Sequence, residues 1–436
     1  DRACDIAAEA LTDGELFPAH RRAEVLDKAA QMIASESEEL AWLIASEAGK
    51  PLKTSAAEVD RCVDTFRFSA AAARSLAGDV VPMDASATGV GRIGFTLRVP
   101  IGVVAAISPF NFPLNLVAHK IGPAIAAGCP VVLKPASTTP LTALALGRIL
   151  LEAGLPGPWL SVIPGDGRSV GASLVSHDVP AVVSFTGSAD VGWPIRAKAP
   201  RKKVLLELGS AAPLIVEPDA NVEAVAAAAV PASFGYAGQS CISTQRIYVH
   251  EEIADDFIDQ FTVLTNRLSL GNPLLKDTDV GPVISENDAT RILELIEEAV
   301  SLGAEMAAGG GRDGSLVEPT VLVDPPPTAK VCSQEVFGPV VSIRRYQDFD
   351  AMLDEIAQVP LGINAGIFTN RIDRALECVR RLHYGGILIN EVPTYRADQQ
   401  PYGGHGDSGN TREGPAYAVD ELTEHRFILL KEAVRA

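Results

Sequence analysis

Short apolar runs alternate with longer segments of helical periodicity along most of this chain. Each run ends at glycine, proline or a polar residue, which is typical of strands buried on both faces of a sheet. Strands that alternate with helices favour an α/β fold with doubly wound parallel sheets. The predicted strands are 102–107, 130–133, 160–163, 181–185, 204–207, 214–216, 247–249 and 340–343.

Helical periodicity is clearest in residues 19–48, in the alanine-rich segment that follows Asn221, and in residues 289–303. A different pattern precedes the first buried run, because Phe95, Leu97 and Val99 alternate with polar residues and predict a strand or hairpin. A chain of 436 residues is too long for one ordinary core. We therefore expect two α/β domains, with a boundary near Gly209.

Composition and charge disfavour several classes of function. The formal net charge of −18 disfavours a surface for nucleic acid or anionic membranes, because phosphates would be repelled. No apolar stretch is long enough to predict a membrane span, and the first residues do not resemble a signal peptide. The six cysteines show neither CxxC nor zinc-site spacing, so we expect no disulfide framework, no metal site and a cytoplasmic location. Small molecules are the expected partners.

Two literal GxGxxG matches, at 89–94 and 309–314, lack the strand before and helix after that a dinucleotide fingerprint needs, so we interpret both as turns. A better phosphate-binding candidate is Phe185-Thr186-Gly187-Ser188, which follows a predicted strand and precedes a helical segment. Glycine permits close backbone approach there, and Ser188 offers a hydroxyl to an anion. An ordinary strand-to-helix turn is the alternative.

Two residues suggest catalysis. Cys241 follows Gly238-Gln239-Ser240, where small residues would leave a thiol accessible to a substrate. Glu207 ends an apolar strand, and apolar surroundings raise a carboxyl pKa towards the range that suits a general base. From these residues alone, a structural cysteine and a paired structural carboxylate remain open alternatives.

Taken together, the motifs resemble those of the aldehyde dehydrogenase superfamily over nearly the whole chain, from about residue 18 to residue 430. The lactaldehyde and non-phosphorylating glyceraldehyde-3-phosphate dehydrogenase branches are the most similar. The matching motifs, in the family's order, are Pro109-Phe110-Asn111-Phe112-Pro113, Lys134-Pro135-Ala136, Phe185-Thr186-Gly187-Ser188, Glu207-Leu208-Gly209, Gly238-Gln239-Ser240-Cys241, Glu335-Val336-Phe337-Gly338-Pro339 and Pro401-Tyr402-Gly403-Gly404.

The resemblance implies a catalytic role for three residues. Cys241 would attack the aldehyde, and the Asn111 amide with the Cys241 backbone N–H would stabilise the resulting oxyanion. Glu207 would activate the water that hydrolyses the thioester. NAD or NADP is the implied cofactor, and the implied cofactor-binding residues are Lys134, Ser137, Phe185, Thr186, Gly187, Ser188, Glu335 and Phe337.

The resemblance also implies a domain arrangement. The fold would comprise a Rossmann-like cofactor domain (1–80 and 100–208), an α/β catalytic domain (209–405) and a small β appendage (81–99 and 415–436) that joins subunits. A homodimer or homotetramer is therefore expected. In the appendage, the strand near residues 81–99 would combine with a C-terminal strand at 423–430.

The preferred cofactor and the substrate class are predicted from only a few residues. Ser137 stands where many NAD-preferring relatives have glutamate, so we expect NADP to be accepted and even preferred. Asn115 and His119 share a helix face, and Arg396 lies in a loop that would close over the substrate, so a small polar or anionic aldehyde is expected. Alternatively, His119 caps a core helix and Arg396 pairs with Asp398.

Three rival functions stay open at this point. A CoA-acylating enzyme would pass the acyl group to a thiol, although Glu207 favours hydrolysis by water. A catalytically silent homologue would keep the fold without the chemistry. A cysteine hydrolase would need a Cys/His arrangement that the sequence does not show.

Overall fold

The computed structural model of the protein describes residues 1–12 and 17–431. These residues form a mixed α/β structure. The helices are α1 Arg2–Thr12, α2 Ala19–Ser35, α3 Ser37–Ala48, α4 Leu52–Ser75, α5 Asn115–Ala127, α6 Leu141–Ala153, α7 Ala172–Ser176, α8 Ala189–Lys198, α9 Val222–Phe234, α10 Glu251–Thr265, α11 Glu286–Ser301, α12 Lys330–Ser333, α13 Phe349–Ala357, α14 Ile372–Arg381 and α15 Pro415–Glu421.

The eight predicted apolar runs all coincide with strands, whereas the strands Glu305–Ala308, Thr320–Val323, Asn364–Phe368 and Gly386–Ile389 were not predicted. The strands are β1 Val80–Val81, β2 Arg92–Pro100, β3 Val103–Ile107, β4 Val131–Lys134, β5 Leu160–Val162, β6 Pro180–Thr186, β7 Lys203–Glu207, β8 Ala212–Val216, β9 Thr244–His250, β10 Glu305–Ala308, β11 Arg312–Asp313, β12 Leu316–Val317, β13 Thr320–Val323, β14 Val340–Tyr346, β15 Leu361–Gly362, β16 Asn364–Phe368, β17 Gly386–Ile389, β18 His405–Gly406 and β19 Thr423–Lys431.

A five-stranded parallel sheet has the order β5-β4-β3-β6-β7. The chain runs outward from β3 to β5 on one side, then returns to add β6 and β7 on the other. The connections after β3 and β6 therefore diverge, and such a switch point opens a crevice at the carboxyl ends of the strands. Lys134, Thr186 and Glu207 are the last residues of β4, β6 and β7, so all three lie at this edge.

A seven-stranded sheet has the order β10-β13-β14-β9-β8-β16-β17 and is parallel except for β10. The residues of β3 and β8 are all buried, because helices cover both faces of each sheet. These two sheets confirm the expected α/β fold class. The two GxGxxG matches are turns, as expected, since one leads into β2 and the other forms the β11–β12 hairpin.

A third sheet is antiparallel, with the order β1-β2-β19. Its main contact joins β2 to the C-terminal strand β19 along their whole length, from the pair Thr423 and Pro100 to the pair Lys431 and Arg92. This pairing brings the end of the chain against the hairpin that precedes the five-stranded sheet. The expected partnership of these two segments is therefore present.

Candidate active site

Cys241 lies at the end of a tight turn that leads into β9. Tyr236 and Ala237 in this turn have φ angles of +52° and +51°, and Gly238 has +67°. A side chain at Gly238 would overlap the Gly338 carbonyl, so the turn needs glycine there. The turn leaves Cys241 half-buried, with its Sγ 2.8 Å from the Tyr402 hydroxyl.

The Cys241 thiol is protonated at neutral pH in this environment. Burial raises its pKa to about 12, and the hydrogen bond with Tyr402 offsets only part of that rise. Attack on a substrate therefore requires the thiol proton to be removed as the sulfur reacts. Tyr402 belongs to the motif Pro401-Tyr402-Gly403-Gly404, but nothing in the sequence predicted its contact with the thiol.

Asn111 lies in the loop that follows β3, close to the cysteine turn. Its side-chain Nδ2 donates a hydrogen bond to the Gln239 carbonyl, 3.0 Å away and two residues before Cys241. One N–H of the amide stays available, because a primary amide carries two donors. The loop after β3 and the turn before β9 are thus joined through the asparagine side chain.

Glu207, at the end of β7, is 3% exposed, and neither of its carboxyl oxygens has a hydrogen-bond partner among the described residues. Burial raises its pKa well above the ordinary value, and the nearby Glu413 carboxylate raises it further, while Arg396 and Lys120 oppose the rise. A Cβ at Gly403 would lie 2.7 Å from Oε1 of Glu207. Since Tyr402 contacts the sulfur, adjacent residues of one loop reach both Cys241 and Glu207.

Glu413 is the other member of a buried carboxyl pair. Burial alone would raise its pKa, but Arg396, His119 and Lys120 together hold it below the ordinary value. Its Oε2 accepts a hydrogen bond from the Arg396 guanidinium at 2.8 Å. Glu413 therefore stays ionised, and Glu207 is the carboxyl that retains a proton.

Two of the predicted cofactor-binding residues, Lys134 and Ser137, lie together at the edge of the five-stranded sheet. The Lys134 ammonium donates to the Pro135 carbonyl at 2.9 Å, and the Ser137 hydroxyl donates to the Gly165 carbonyl at 2.8 Å. Burial lowers the Lys134 pKa, and the carboxylate of Asp166 partly opposes that shift. Asp166 was not among the predicted residues, and it places a negative charge near this lysine.

The segment from Phe185 to Ser188 joins β6 to α8. The Thr186 hydroxyl is buried without a hydrogen-bond partner among the described residues, and Ser188, the N-cap residue of α8, makes no side-chain capping bond. Unpaired donors at a helix N-terminus suit a phosphate group. A Cβ at Gly187 would lie 2.6 Å from the Phe185 ring, so packing inside the segment also requires this glycine. These features fit a dinucleotide.

Glu335 and Phe337 lie near the carboxyl ends of β7 and β3, where Glu335 is next to Gly209 and Phe337 is next to Phe110. Oε1 of Glu335 accepts a hydrogen bond from the Ser210 backbone N–H at 2.9 Å. Burial raises the Glu335 pKa to about 7, although the Ser210 N–H opposes the rise. Phe337 has a φ of +47° and meets Phe110 edge to face, with ring centroids 5.8 Å apart. Both residues are held in defined positions beside the crevice.

The three predicted substrate residues lie in one polar cluster. Oδ1 of Asp398 accepts hydrogen bonds from the Asn115 amide at 3.0 Å and pairs with His119 Nε2 at 2.8 Å. Arg396 stacks on the Tyr402 ring, with its guanidinium carbon 3.6 Å from the ring centroid. The cluster is therefore continuous with the residue that contacts Cys241.

The alternative prediction, that Arg396 pairs with Asp398 and that His119 caps a helix, was wrong. Arg396 pairs with Glu413, whereas Asp398 is bound by Arg61 of α4, whose guanidinium reaches it at 2.9 Å. His119 does not cap a helix; its side chain is buried within α5, where burial and Arg396 lower its pKa. Arg61 had no signal in the sequence, because its partner is 337 positions away.

Among residues 1–12 and 17–431, no helix is both long and apolar enough to cross a membrane. In the same part of the chain, no group of three or more histidine, cysteine or acidic side chains could hold a metal ion. All six cysteines are free thiols. The cytoplasmic location stays a prediction from the cysteine pattern.

Comparison with known proteins agrees with this geometry. The model of the aldehyde dehydrogenase family matches residues 1–428. The 3-sulfolactaldehyde dehydrogenase of Priestia aryabhattai is 45% identical over 414 residues, which cover 95% of this chain and 87% of that protein. The lactaldehyde dehydrogenase of Methanococcus vannielii is 40% identical over 426 residues, covering 95% and 89% of the two proteins.

Comparison with solved structures points to the same family. The crystal structure of the glyceraldehyde-3-phosphate dehydrogenase GapN of Methanocaldococcus jannaschii, complexed with NADP, superposes with a TM-score of 0.95 at 38% identity. The match covers 99% of this chain and 94% of that one. A likeness of this extent in both sequence and structure establishes the family and its cofactor class. The chain therefore belongs to the aldehyde dehydrogenase family and is an NAD(P)-dependent oxidoreductase.

Proposed function

We propose that this enzyme oxidises a small, polar or anionic aldehyde to a carboxylic acid through a thioester on Cys241, with NADP as an accepted cofactor. The observation that carries the proposal is the convergence of three groups: the Cys241 thiol, the Asn111 amide and the buried Glu207 carboxyl. Asn111 reaches the cysteine turn directly, and the loop at Tyr402 and Gly403 connects the thiol to Glu207. The decisive experiments are the replacements of Cys241 and Glu207 described in the Discussion.

In the first half-reaction, the Cys241 sulfur adds to the aldehyde carbon, and the thiol proton passes to solvent water. The free N–H of Asn111 and the Cys241 backbone N–H would donate to the oxygen as it gains negative charge. When bound, the nicotinamide supplies an acceptor for the hydride ion that leaves the aldehyde carbon. Lys134, Ser137 and the segment from Phe185 to Ser188 would bind the dinucleotide, and Glu335 and Phe337 would hold its reactive end.

In the second half-reaction, Glu207 would take a proton from water while the water oxygen attacks the thioester carbon. The Cys241 thiolate then leaves and the carboxylic acid is released. A raised pKa makes the ionised carboxylate a stronger base, which suits this step. Glu207 thereby favours hydrolysis over transfer to CoA, and formation of acyl-CoA with consumption of CoA would contradict this choice.

We propose that Ser137 permits NADP to bind. A carboxylate at this position would accept hydrogen bonds from the ribose and repel a 2′-phosphate, whereas the serine hydroxyl carries no charge. Ser137→Glu is expected to raise the Kd for NADP by about tenfold, because one charge-assisted contact of ~1.5 kcal/mol is replaced by repulsion. The Kd for NAD should change little.

Fluorescence titration of the variant with each cofactor measures both values. Ser301→Glu, at the exposed end of α11 beside the seven-stranded sheet, is the matched control for adding one negative charge. An equal loss of affinity for NAD and NADP would contradict the proposed role of Ser137.

The proposed substrate carries a hydroxyl or an anionic group. The relatives named above act on sulfolactaldehyde and lactaldehyde, which are small and polar. In this chain a continuous path of polar contacts leads from Cys241 through Tyr402, Arg396 and His119 to Asp398. Cationic side chains along such a path would attract a carboxylate, phosphate or sulfonate. Asn115, His119 and Arg396 remain the proposed substrate residues.

We also propose a substrate role for Arg61, the more exposed of the two arginines in contact with this path. Its side chain is 27% exposed, while the Arg396 side chain is 5% exposed and already paired with Glu413. Nε of Arg396 is buried without a hydrogen-bond partner among the described residues, so one donor of that guanidinium remains unused. An incoming anion would therefore meet Arg61 first and Arg396 Nε deeper in the path.

Arg61→Met is expected to raise KM for an anionic aldehyde by about tenfold or more, because a charge-assisted hydrogen bond of ~1.5–3 kcal/mol is lost. KM for a neutral aliphatic aldehyde and kcat for both substrates should change little. Arg61→Met should disturb the cluster less than Arg396→Ala. In Arg61→Met, Asp398 keeps its contacts with His119 and Asn115. In Arg396→Ala, Glu413 would lose its closest cation. Steady-state kinetics with both aldehydes provide the measurement.

Arg67→Met, an exposed position on the same helix, is the matched control. Equal increases in KM for the anionic and neutral aldehydes would show that Arg61 maintains the shape of the cluster and does not select the substrate's charge.

The same proposal includes a homo-oligomer. In the antiparallel sheet, Ile93 and Leu430 face each other across β2 and β19, and both are more than half exposed. Phe427 on β19 is also exposed, and β19 is an edge strand. Exposed apolar side chains on an edge strand are typical of a surface that another chain covers. Sedimentation equilibrium should give a dimer or tetramer, and Phe427→Glu should lower the mass towards that of a monomer.

A further inference from the structure

Lys50 is a fully buried lysine in the short connection between α3 and α4. Its ammonium lies 2.5 Å from the Glu58 carboxylate, and both side chains are 0% exposed. A buried ion pair contributes little net stability compared with apolar residues of similar size. Its presence at this point therefore suggests a purpose other than stabilising the fold.

The ammonium of Lys50 also faces two aromatic rings. It lies 3.5 Å from the ring centroid of Phe112 and 4.6 Å from that of Tyr236. The two rings meet edge to face, with centroids 6.4 Å apart. A cation held against a ring face is attracted to it, and the attraction increases away from water. Phe112 directly follows Asn111, so Lys50 touches the loop that carries the amide.

Tyr236 connects Lys50 to the cysteine turn. The Tyr236 hydroxyl donates a hydrogen bond to the Ala48 carbonyl at 3.0 Å, two residues before Lys50. Tyr236 and Ala237 both adopt positive φ, which L-residues seldom do unless their surroundings impose it. The ring and hydroxyl contacts supply such a constraint at the start of the turn that ends at Cys241.

Glu58 holds the other end of the asparagine loop. Its Oε1 accepts hydrogen bonds from the backbone N–H groups of Leu114 and Asn115, at 2.9 and 3.0 Å, where α5 begins. The same carboxylate binds Lys50 through Oε2. One buried ion pair is therefore in contact with Phe112, with the backbone at the start of α5 and with the turn before Cys241.

We propose that Lys50 is a positioning residue for the oxidation: with Glu58, it sets the placement of Asn111 relative to Cys241. The proposal rests on the proposed roles of those two residues. Lys50 touches neither the sulfur nor the oxyanion in this arrangement; it acts through Phe112 and Tyr236. Loss of the cation would let the two segments shift, and a displacement of about 1 Å at reacting groups lowers rates by up to about 10²-fold.

A double-mutant cycle tests this role. The rate of the first NADPH burst, per titrated active site, is measured for Lys50→Met, for Asn111→Ala and for the combination. Lys50→Met alone is expected to slow the burst by about 10- to 100-fold. In the Asn111→Ala background it should slow the burst little further, since the group that it positions is already absent. The Kd for NADP should stay near the wild-type value.

Lys203→Met is the matched control, because Lys203 also pairs with a glutamate, Glu421, away from the two segments. Tyr236→Phe is the second probe, since it keeps the ring and removes only the bond to Ala48. If circular dichroism shows that Lys50→Met does not fold, Tyr236→Phe tests the proposal in its place. Its loss of burst rate should also be non-additive with that of Asn111→Ala.

The experiment distinguishes an error in the proposed role of Asn111 from an error in the proposed role of Lys50. An unchanged burst rate in Asn111→Ala contradicts the proposed role of Asn111 in the oxidation. A slower burst in Asn111→Ala, combined with losses for Lys50→Met or Tyr236→Phe that multiply fully in the double variant, overturns the positioning role of Lys50.

Discussion

Cys241→Ala is expected to lower aldehyde oxidation by at least about 10³-fold, since removal of a covalent nucleophile leaves only binding and electrostatic stabilisation. The variant should remain folded, because the change removes a single sulfur from a half-buried turn. No stoichiometric burst of NADPH should appear. Stopped-flow absorbance of reduced nicotinamide provides the measurement.

Cys378→Ala is the control for this experiment, because Cys378 is a buried thiol on α14 and is expected to have no role in the reaction. The control should keep a burst of about one equivalent per site. Turnover at the wild-type rate in Cys241→Ala would refute the thioester mechanism. Absence of any NADPH formation by the wild-type enzyme with all aldehydes tested would instead favour a catalytically silent homologue.

Glu207→Gln is expected to separate the two half-reactions. The amide cannot take a proton from water, so hydrolysis should slow by about 10²–10⁴-fold, while acylation and hydride loss continue. One burst of NADPH followed by very slow turnover is the expected trace. The replacement adds little strain, because glutamine has nearly the same shape and the wild-type carboxyl already retains its proton.

The pH dependence of hydrolysis follows from the direction of the Glu207 shift. A raised pKa means that the carboxyl stays protonated at pH values where an ordinary glutamate is ionised, and the protonated form cannot act as a base. Steady-state turnover limited by hydrolysis should therefore rise with pH, through an apparent pKa well above 4.5. In Glu207→Gln this dependence should disappear. Loss of the burst itself in that variant would contradict the assignment of Glu207 to the second half-reaction.

Much of the fold was predictable from local patterns. The run at 103–107 is apolar without alternation because both faces of β3 are covered, and that property is visible in the residues themselves. Glu207, Lys134 and Thr186 could each be placed at the end of a predicted strand. The carboxyl ends of parallel strands meet at one edge, so a common site for these residues was already implied.

The partners of buried charges were not predictable in the same way. Arg396 and Asp398 are two residues apart, which suggested a local pair, yet Arg396 binds Glu413 and Asp398 binds Arg61. Ion pairing depends on which side chains share a buried space, and the helices around the cluster bring together residues that are far apart in the chain. The Lys50 contacts with Tyr236 likewise join positions between which the whole five-stranded sheet lies in the chain.

The sequence by itself determined the α/β class, the positions of the strands in the five-stranded sheet and the identity of Cys241, Asn111 and Glu207 as a candidate set. These properties depend on periodicity and on short motifs, which are contained in neighbouring residues. Only the tertiary structure decided that Glu207 retains a proton, that Tyr402 bonds the thiol, and that a buried Lys50 joins the two segments of the site. Burial and contacts between distant segments control pKa values and ion pairs, and both arise only when the sheets and helices pack together.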